Sequence, residues 1–326
     1  MQTLDAIKKE NNNAAVNKIF NNFKQNIIGQ EELSKNLLIA LISGGHILLE
    51  GMPGLAKTLS AEILAKSVNT SFKRIQFTPD LLPSDLIGTE IYNQEEGSFE
   101  FSKGPLFANI ILADEINRAP AKVQSALLEA MAEKQITVAK ETYSLPNVFL
   151  VIATQNPIEQ EGTYNLPEAQ LDRFLLHVNI GHPNRTEERQ ILELEQNKNF
   201  QKVNTPSVVT PAEIKVMQNE AKKVYFDDKL KDYIVDLVMA TRTPEKLNKD
   251  LRNYIKHGVS PRATLALSNA SQALAYLHAE EYVNPYHIQQ VVYNVFRHRI
   301  ILNYTAHADN VSADDIIKEI VNLVAL

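Results

Sequence analysis

The chain has 326 residues, of which 44% are hydrophobic and 22% charged, which is enough for about two domains with their own cores. A net charge of −6 argues against a non-specific polyanion binder, and the lack of cysteine excludes disulfides, thiolate metal sites and cysteine nucleophiles. The polar start and the interrupted apolar run at 37–49 predict no secretory signal and no membrane insertion, so we expect a cytoplasmic protein.

Glycine and charge divide the chain into two parts. All glycines but Gly258 lie at or before Gly181, and the whole negative balance belongs to residues 1–183. Because glycine weakens helix interiors, the first part is predicted to be mixed and the second mostly helical. We therefore predict an α/β domain over residues 1–183 and a small all-α domain over residues 184–326.

Short apolar runs in the first part predict buried strands at 46–50, 75–78, 110–113 and 149–154. Helical patterns at 57–68 and 121–133 lie between them, and this alternation predicts a parallel sheet flanked by helices. Two alternating segments, 89–101 and 135–145, predict β-hairpins with turns at Glu95-Glu96-Gly97 and Lys140-Glu141. Both could equally be ordinary surface hairpins.

Helix starts recur in the second part of the chain. Thr210 with Glu213 and Ser312 with Asp315 have capping-box spacing, and the pairs Ser260-Pro261 and Asn284-Pro285 combine a cap with a first-turn proline. Between these starts one helical face is apolar, at Leu230, Ile234, Leu237, Val238 and Thr241. The pattern predicts a small domain of about four or five helices.

A phosphate-binding loop is predicted at residues 51–58, which read GMPGLAKT between a strand and a helix. Its backbone N–H groups would face the phosphates, Lys57 would reach the β and γ phosphates, and Thr58 would ligate Mg²⁺. Ala56 stands where the usual last glycine does, and we expect it to adopt a negative φ at the helix start. The alternative is a glycine turn followed by a surface Lys-Thr pair.

Acidic and amide side chains follow two of the predicted strands. Asp114 and Glu115 end the strand at 110–113, where Asp114 can hold the Mg²⁺ shell and Glu115 can orient or deprotonate the attacking water. Asn156 follows the strand at 149–154 and is predicted to hydrogen-bond that water or the γ-phosphate. Taken alone, the first pair could be a solvated strand end, and Asn156-Pro157 a simple turn.

Together these motifs resemble the MoxR family of AAA+ ATPases. The resemblance covers residues 28–262 and includes the loop at 51–58, DEINRAP at 114–120 with KVQSALLEAM at 122–131, ATQNP at 153–157 and GTYNLPEAQLDRF at 162–174. It implies a P-loop AAA+ sheet followed by a helical lid domain. In this family Ala56 is the expected residue.

The resemblance also implies roles for matching residues. Arg173 is similar to the arginine finger that completes a neighbouring subunit's site, and Arg262 to the sensor 2 arginine of the lid. Asp172 and Arg173 could instead form a structural surface pair. The expected nucleotide contacts are Ile28, Gly29, Gln30, Gly51, Pro53, Gly54, Leu55, Ala56, Lys57, Thr58 and Leu59. The first three of these also fit a plain turn before a helix.

From the resemblance we expect Mg²⁺-dependent ATP hydrolysis in a ring, a hexamer, that assembles, matures or inserts cofactors into client protein complexes. Clients with a von Willebrand A-type domain are the family's usual partners, and the two hairpins would touch the client. A nucleic-acid-dependent motor or a chelatase motor subunit is the alternative, as is a non-enzymatic nucleotide-gated scaffold. The acidic first hairpin disfavours nucleic acid, and the presence of Lys57, Glu115 and Arg173 disfavours the scaffold.

Overall fold

The computed structural model describes residues 2–138, 141–157, 163–164, 166–197, 205–248 and 250–326. The strands are β1 Ile47–Gly51, β2 Phe72–Gln76, β3 Gly88–Asn93, β4 Ser98–Lys103, β5 Ile110–Asp114, β6 Gln135–Val138, β7 Glu141–Ser144, β8 Leu150–Gln155, β9 Leu176–Ile180, β10 Ile255–His257 and β11 Ile301–Leu302. The helices are α1 Gln2–Asn26, α2 Glu31–Ser43, α3 Lys57–Ser67, α4 Pro83–Ile87, α5 Ala121–Glu133, α6 Glu168–Leu171, α7 Arg185–Asn197, α8 Pro211–Ala221, α9 Asp228–Arg242, α10 Pro261–Leu277, α11 Pro285–Phe296, α12 Tyr304–Ala308 and α13 Ala313–Leu323.

The chain forms two compact units, each built from more than one segment. Unit 1 comprises Met1–Leu38, His46–Leu166 and Val178–Val216, and unit 2 comprises Ile39–Gly45, Pro167–His177 and Met217–Leu326. The boundary predicted between residues 183 and 184 stays a prediction. Within the described parts of the chain, every helix is too short or too polar to cross a lipid bilayer.

A five-stranded sheet in the order β2-β5-β8-β1-β9 contains the four predicted strands, and β2 with β5, β5 with β8 and β8 with β1 pair in parallel. The central strands are buried almost throughout, as strands covered on both faces should be. The strand predicted at 75–78 is instead β2, which begins three residues earlier. It is an edge strand with exposed Lys73 and Arg74, so it has no continuous apolar run to reveal it.

Both predicted hairpins are present in unit 1. β3 pairs antiparallel with β4, from Gly88 opposite Lys103 to Asn93 opposite Ser98, and β6 pairs antiparallel with β7. Lys140, in the second turn, lies outside the described residues. The Phe101 ring stacks on Tyr143 with centroids 4.5 Å apart, and Phe107 completes this aromatic cluster. The cluster therefore joins the roots of the two hairpins.

The predicted helix caps are confirmed in the second part of the chain. Ser260 caps α10, Asn284 caps α11 and Ser312 forms a capping box with Asp315 at α13. Along α9, the predicted apolar face is buried except for half-buried Leu230. The domain is not purely helical, because β10 and β11 pair as a short antiparallel ribbon. Ribbons this short have too few apolar residues to be read from a periodic pattern.

His46 is a buried side chain directly before β1 that links two other segments of unit 1 by hydrogen bonds. Its Nδ1 accepts the Val151 N–H at 3.0 Å, and its Nε2 lies 3.3 Å from the Met131 carbonyl oxygen, so the neutral ring satisfies both partners. Burial lowers the pKa of His46 from 6.5 to about 4. Below pH 6.5 the His46 ring therefore takes up a proton in the unfolded chain but stays neutral in the folded state until the pH approaches 4.

Replacing His46 with Gln should reduce the fall in the free energy of unfolding as pH drops below 6.5. In the parent this histidine adds stability above pH 6.5, and the contribution is lost as pH falls from 6.5 towards 4, by about 2 kcal/mol between pH 7 and pH 5. Urea unfolding followed by far-ultraviolet circular dichroism at several pH values measures the difference. His182→Gln, at an exposed position, is the control; equal pH slopes for the parent and His46→Gln would contradict the assignment.

Candidate functional site

The predicted phosphate-binding loop joins β1 to α3 in unit 1. Gly54 has a φ of 87°, and Ala56, directly before the helix, has a φ of 55°. The expectation of a negative φ at Ala56 is therefore wrong. The loop must turn its backbone sharply before Lys57 begins the helix, and the left-handed conformation at Ala56 accomplishes this at a cost that glycine would avoid.

Ala56→Gly should accordingly stabilise the nucleotide-free protein. Removal of the left-handed strain gains about 1 kcal/mol, and the greater freedom of glycine in the unfolded chain offsets part of that, leaving a net gain of about 0.5 kcal/mol. Urea unfolding measures the change. Ala132→Gly, at an exposed position in α5, should instead lose about 1 kcal/mol. A loss of similar size at both positions would show that Ala56 is unstrained.

Lys57 is held inside the loop that precedes it. Its Nζ donates to the Gly51 carbonyl oxygen at 2.6 Å, so the side chain folds back onto the start of the loop. Burial lowers the pKa of Lys57, and the carboxylates of Asp114, Glu115 and Glu50 oppose that shift. These charges place the lysine in an electrostatically coupled site together with the two acids at the end of β5.

Asp114 has both carboxylate oxygens engaged. The Thr154 hydroxyl donates to Oδ1 at 2.6 Å, and Arg74 donates to Oδ2 through Nη2 at 2.6 Å and Nε at 3.1 Å. Thr154 lies on β8 and Arg74 on β2, so the two strands that flank β5 orient its last residue.

Glu115 is oriented by side chains from two directions. Its Oε2 accepts from Gln76 Nε2 at 2.7 Å and from Arg118 Nη1 at 2.9 Å, and its backbone N–H donates to the Thr154 hydroxyl at 2.9 Å. Its φ of 56° is left-handed, which is strained for a glutamate and typical of functional sites. A carboxylate held in this way is positioned before substrate binds.

These groups line one cavity of about 390 Å³. Its walls are Pro53, Gly54, Leu55, Ala56, Lys57, Thr58, Leu59, Arg74, Gln76, Asp114, Glu115 and Asn156. The structure thus brings together the predicted loop, the acidic pair and Asn156. Gly51 contributes its carbonyl to Lys57, and Ile28, Gly29 and Gln30 are not among the lining residues.

Arg74, Gln76, Thr154 and Arg118 were not predicted as site residues. Arg74 was missed because β2 was predicted three residues late, whereas Gln76 lies within the predicted strand at 75–78 and was treated only as part of an apolar run. With the strand placed correctly, residues that alternate outward at its C-terminal end would have been candidates, since ligands of parallel sheets bind at that edge. Thr154 lies on β8, two residues before Asn156, and was counted only as part of an apolar strand.

The donor set fits a nucleotide phosphate chain with Mg²⁺. A cavity of this volume is within the range of small-ligand sites, and a lysine with a helix N-terminus suits phosphate oxygens. The Thr58 hydroxyl and the Asp114 carboxylate are the oxygen ligands that Mg²⁺ prefers. Because Arg74 already contacts Asp114 Oδ2, a cation beside this carboxylate would compete with the arginine.

Gln30 and its neighbours lie elsewhere in unit 1. The Gln30 side-chain amide contacts the Gly181 carbonyl oxygen at 3.5 Å. Gly29 has a φ of 74°, and a Cβ there would lie 2.7 Å from the Glu187 side chain, so the turn needs glycine for a structural reason. Their predicted contact with adenine stays a prediction.

Arg173 and Arg262 belong to unit 2, and both are close to Asp172. Arg173 follows it in the sequence, and Arg262 approaches it in space. Asp172 precedes Arg173, and its Oδ2 lies 3.7 Å from Arg262 Nη1. The Arg262 side chain is 58% exposed, so its guanidinium is open to solvent. Because the phosphate loop belongs to unit 1, the action of both arginines on nucleotide stays a prediction.

A second group of titratable side chains lies in unit 2, at the turn between α10 and α11. His278 Nδ1 is 3.4 Å from His287 Nε2, and Glu280 Oε1 is 3.7 Å from the same Nε2. The Asn284 N–H donates to His287 Nδ1, so the proton of the neutral ring lies on Nε2 and points at the other two groups. Burial lowers the pKa of His287. The arrangement is therefore a hydrogen-bonded helix cap.

Comparison with known proteins agrees with the site. Residues 46–176 match the ATPase family associated with various cellular activities (AAA), and residues 248–320 match an AAA lid domain. Chaperone MoxR1 of Mycobacterium tuberculosis (strain ATCC 25618 / H37Rv) is 45% identical over 308 residues, 93% of this chain and 80% of that protein. Uncharacterized protein YeaC of Bacillus subtilis (strain 168) is 44% identical over 298 residues, 91% of this chain and 90% of that protein.

A solved structure resembles the whole chain. The crystal structure of an ATPase candidate from Cytophaga hutchinsonii superposes with a TM-score of 0.93 at 46% identity, covering 99% of this chain and 98% of that one. The predicted fold class, a parallel AAA+ sheet with a lid, is confirmed. The chain belongs to the MoxR family of AAA+ ATPases and is an ATP-hydrolysing enzyme.

Proposed function

We propose that this ATPase works with Mg²⁺ and uses ATP hydrolysis for chaperone-like assembly, maturation or cofactor insertion in client protein complexes. The observation that carries the chemical part is the single cavity shared by Lys57, Thr58, Asp114, Glu115 and Asn156. The similarity to a protein named as a chaperone supports the biological part.

The polar groups of the cavity named above have distinct roles when water attacks the γ-phosphate in line. The loop amides and Lys57 hold the phosphates, and Mg²⁺ bound near Thr58 and Asp114 would neutralise charge on the phosphate oxygens. Glu115 orients the water and accepts its proton, and Asn156 donates to the water or to the γ-phosphate. The bonds from Gln76 and Arg118 both go to Oε2 and hold the carboxylate in place, so we assign the water to Oε1.

The site is completed, in this proposal, by arginines from unit 2. Arg173 acts on the ATP of a neighbouring subunit and stabilises charge on the transferred phosphoryl group, which requires a ring, and we propose a hexamer. Arg262 reports loss of the γ-phosphate, in cis or in trans. The ring works in the cytoplasm without nucleic acid, and its clients include proteins with a von Willebrand A-type domain.

We assign client contact to the hairpin of β3 and β4, the first hairpin. Tyr92 and Phe99 pair across the strands with ring centroids 5.2 Å apart, and both are more than half exposed. Glu95 and Glu96 form the turn beyond them and are exposed. An acidic tip above exposed aromatic rings complements a cationic segment of a client, through ion pairs and cation–π contacts.

A trapped pull-down tests this function. Glu115→Gln protein with ATP should capture client after crosslinking, and capture should fall at least several-fold when Glu95→Gln and Glu96→Gln are added, because the tip then loses its charge. Glu129→Gln with Glu133→Gln, two exposed glutamates of α5, is the matched control. Capture that needs no ATP, or that follows nucleic acid instead of protein, would contradict the proposal.

A further inference from the structure

Three consecutive residues after α11, Arg297-His298-Arg299, bind the segment of chain that carries Arg173. We call Arg297–Arg299 the arginine clamp; it and Asp172–His177 both belong to unit 2. Arg297 Nη1 donates to the His177 carbonyl oxygen at 2.7 Å, and His298 Nε2 lies 3.1 Å from that of Phe174. These two contacts of the clamp are to backbone carbonyl oxygens, so they do not depend on the side chains of His177 and Phe174.

Arg299 makes the most bonds of the three. Its Nε donates to Asp172 Oδ1 at 2.8 Å, and its Nη2 donates to the carbonyl oxygens of Asp172 at 3.2 Å and Phe174 at 2.5 Å. Its Nη1 donates to the Leu175 carbonyl oxygen at 3.2 Å. The carbonyl groups of Asp172, Phe174 and Leu175, which lie before and after Arg173 in the chain, are therefore bound to one guanidinium.

The ion pair between Arg299 and Asp172 is buried, so both charges lose most of their hydration. The Arg299 side chain is 2% exposed and that of Asp172 15%, so the ion pair is largely removed from water. Burial lowers the pKa of Arg299, and Asp172 opposes the shift. Buried ion pairs add little net stability compared with apolar residues of similar volume, so stability alone is a weak reason for this pair. What the pair does supply is a rigid, directional fit to the Asp172–Leu175 backbone.

Asp172 also connects the clamp to α10. The Ser260 hydroxyl donates to both Asp172 oxygens, at 2.9 and 2.8 Å, and the same Ser260 oxygen accepts the Arg262 N–H at 3.1 Å. One carboxylate thereby ties the Arg173 segment to the first turn of the helix that carries Arg262. The two arginines with proposed nucleotide roles are parts of one hydrogen-bonded network.

We propose that Arg299 is a positioning residue that sets Arg173 for the neighbouring subunit's site and couples its position to Arg262. Movement of α10 at Arg262 is transmitted through Ser260 and Asp172 to the backbone of Arg173. The inference rests on the proposed roles of those two arginines. Arg299 is proposed to have no contact with nucleotide and to act only by positioning Arg173.

Arg299→Lys is the test variant, because lysine keeps a positive charge beside Asp172 but cannot supply the planar fork of donors. We expect rings that bind ATP with unchanged Kd and hydrolyse it about 10²-fold more slowly, as a misplaced catalytic group does. Arg252→Met, an exposed arginine of unit 2, is the control and should retain the parent rate. If Arg299→Lys does not fold, the charge-neutral pair Asp172→Asn with Arg299→Met replaces it.

Mixed rings separate positioning from general damage. Arg299→Lys subunits keep a working phosphate loop, and Lys57→Ala subunits keep a working finger, so mixing them should raise turnover many-fold above either alone. Mixing Arg299→Lys with Arg173→Ala should give no such recovery, because both lack a working finger. The proposal is overturned if Arg299→Lys rings turn over at the parent rate.

A second result would also overturn the proposal. Mixing with Lys57→Ala subunits would restore turnover to Arg173→Ala subunits but not to Arg299→Lys subunits, although the rings assemble normally. Failure of Arg173→Ala itself to recover would count instead against the finger role proposed above, and the positioning role would fall with it. Titration with labelled ATP, in every mixture, shows whether binding is retained.

Discussion

Glu115→Gln is expected to bind ATP normally and to lose turnover by about 10²- to 10⁴-fold, the usual contribution of a positioned general base. Glutamine keeps the shape of the side chain and can still contact Gln76 and Arg118, but it cannot accept a proton from water. The expected product is a ring that retains ATP. Phosphate release and retention of labelled nucleotide on a filter measure the two effects.

The control for this prediction is Glu129→Gln, in α5, which should retain the parent rate. Chelation of Mg²⁺ in the parent should also stop turnover if Thr58 and Asp114 hold the ion as proposed. Turnover of Glu115→Gln at the parent rate would exclude Glu115 as the base. Turnover of the parent without divalent cation would leave Glu115 in place and exclude the Mg²⁺ requirement.

Arg173→Ala is expected to lower hydrolysis by about 10³- to 10⁵-fold, the range found when an arginine finger is withdrawn from phosphoryl transfer. Nucleotide binding should persist, because the phosphate loop belongs to the other unit of the same chain. Mixing with Lys57→Ala subunits should restore turnover, since each variant supplies the part that the other lacks. The steady-state rate across mixing ratios is the measurement.

Arg189→Ala, at a side chain that is 81% exposed, is the matched control and should behave like the parent. Loss of hydrolysis in Arg173→Ala with no recovery in mixed rings, while assembly is intact, would argue for a role within its own subunit. Loss of assembly would assign Arg173 to the interface between subunits instead.

Much of the fold follows from local patterns. The central strands are apolar because both faces are covered, and the α5 bounds of 121–133 were predicted correctly because its apolar period is clear. Capping residues act on backbone only two or three positions away, so Ser260, Asn284 and Ser312 were readable too. The edge strand β2 was misplaced because one side of it faces solvent.

By itself, the sequence determined the loop at 51–58, the acidic pair Asp114-Glu115 and their meeting at one sheet edge. Parallel pairing follows from alternating strands and helices, and parallel strands bring their C-terminal ends to the same edge. A resemblance between motifs added the roles of Arg173 and Arg262.

Only the tertiary structure decided which side chains hold these groups. Arg74 reaches Asp114 from 40 positions away, and Arg299 reaches Asp172 from 127 positions away. Such pairs leave no periodic or spacing signal, because the partners meet through the packing of separate elements. The left-handed backbone at Ala56 and Glu115 has the same origin, since surrounding contacts impose a conformation that neither residue prefers.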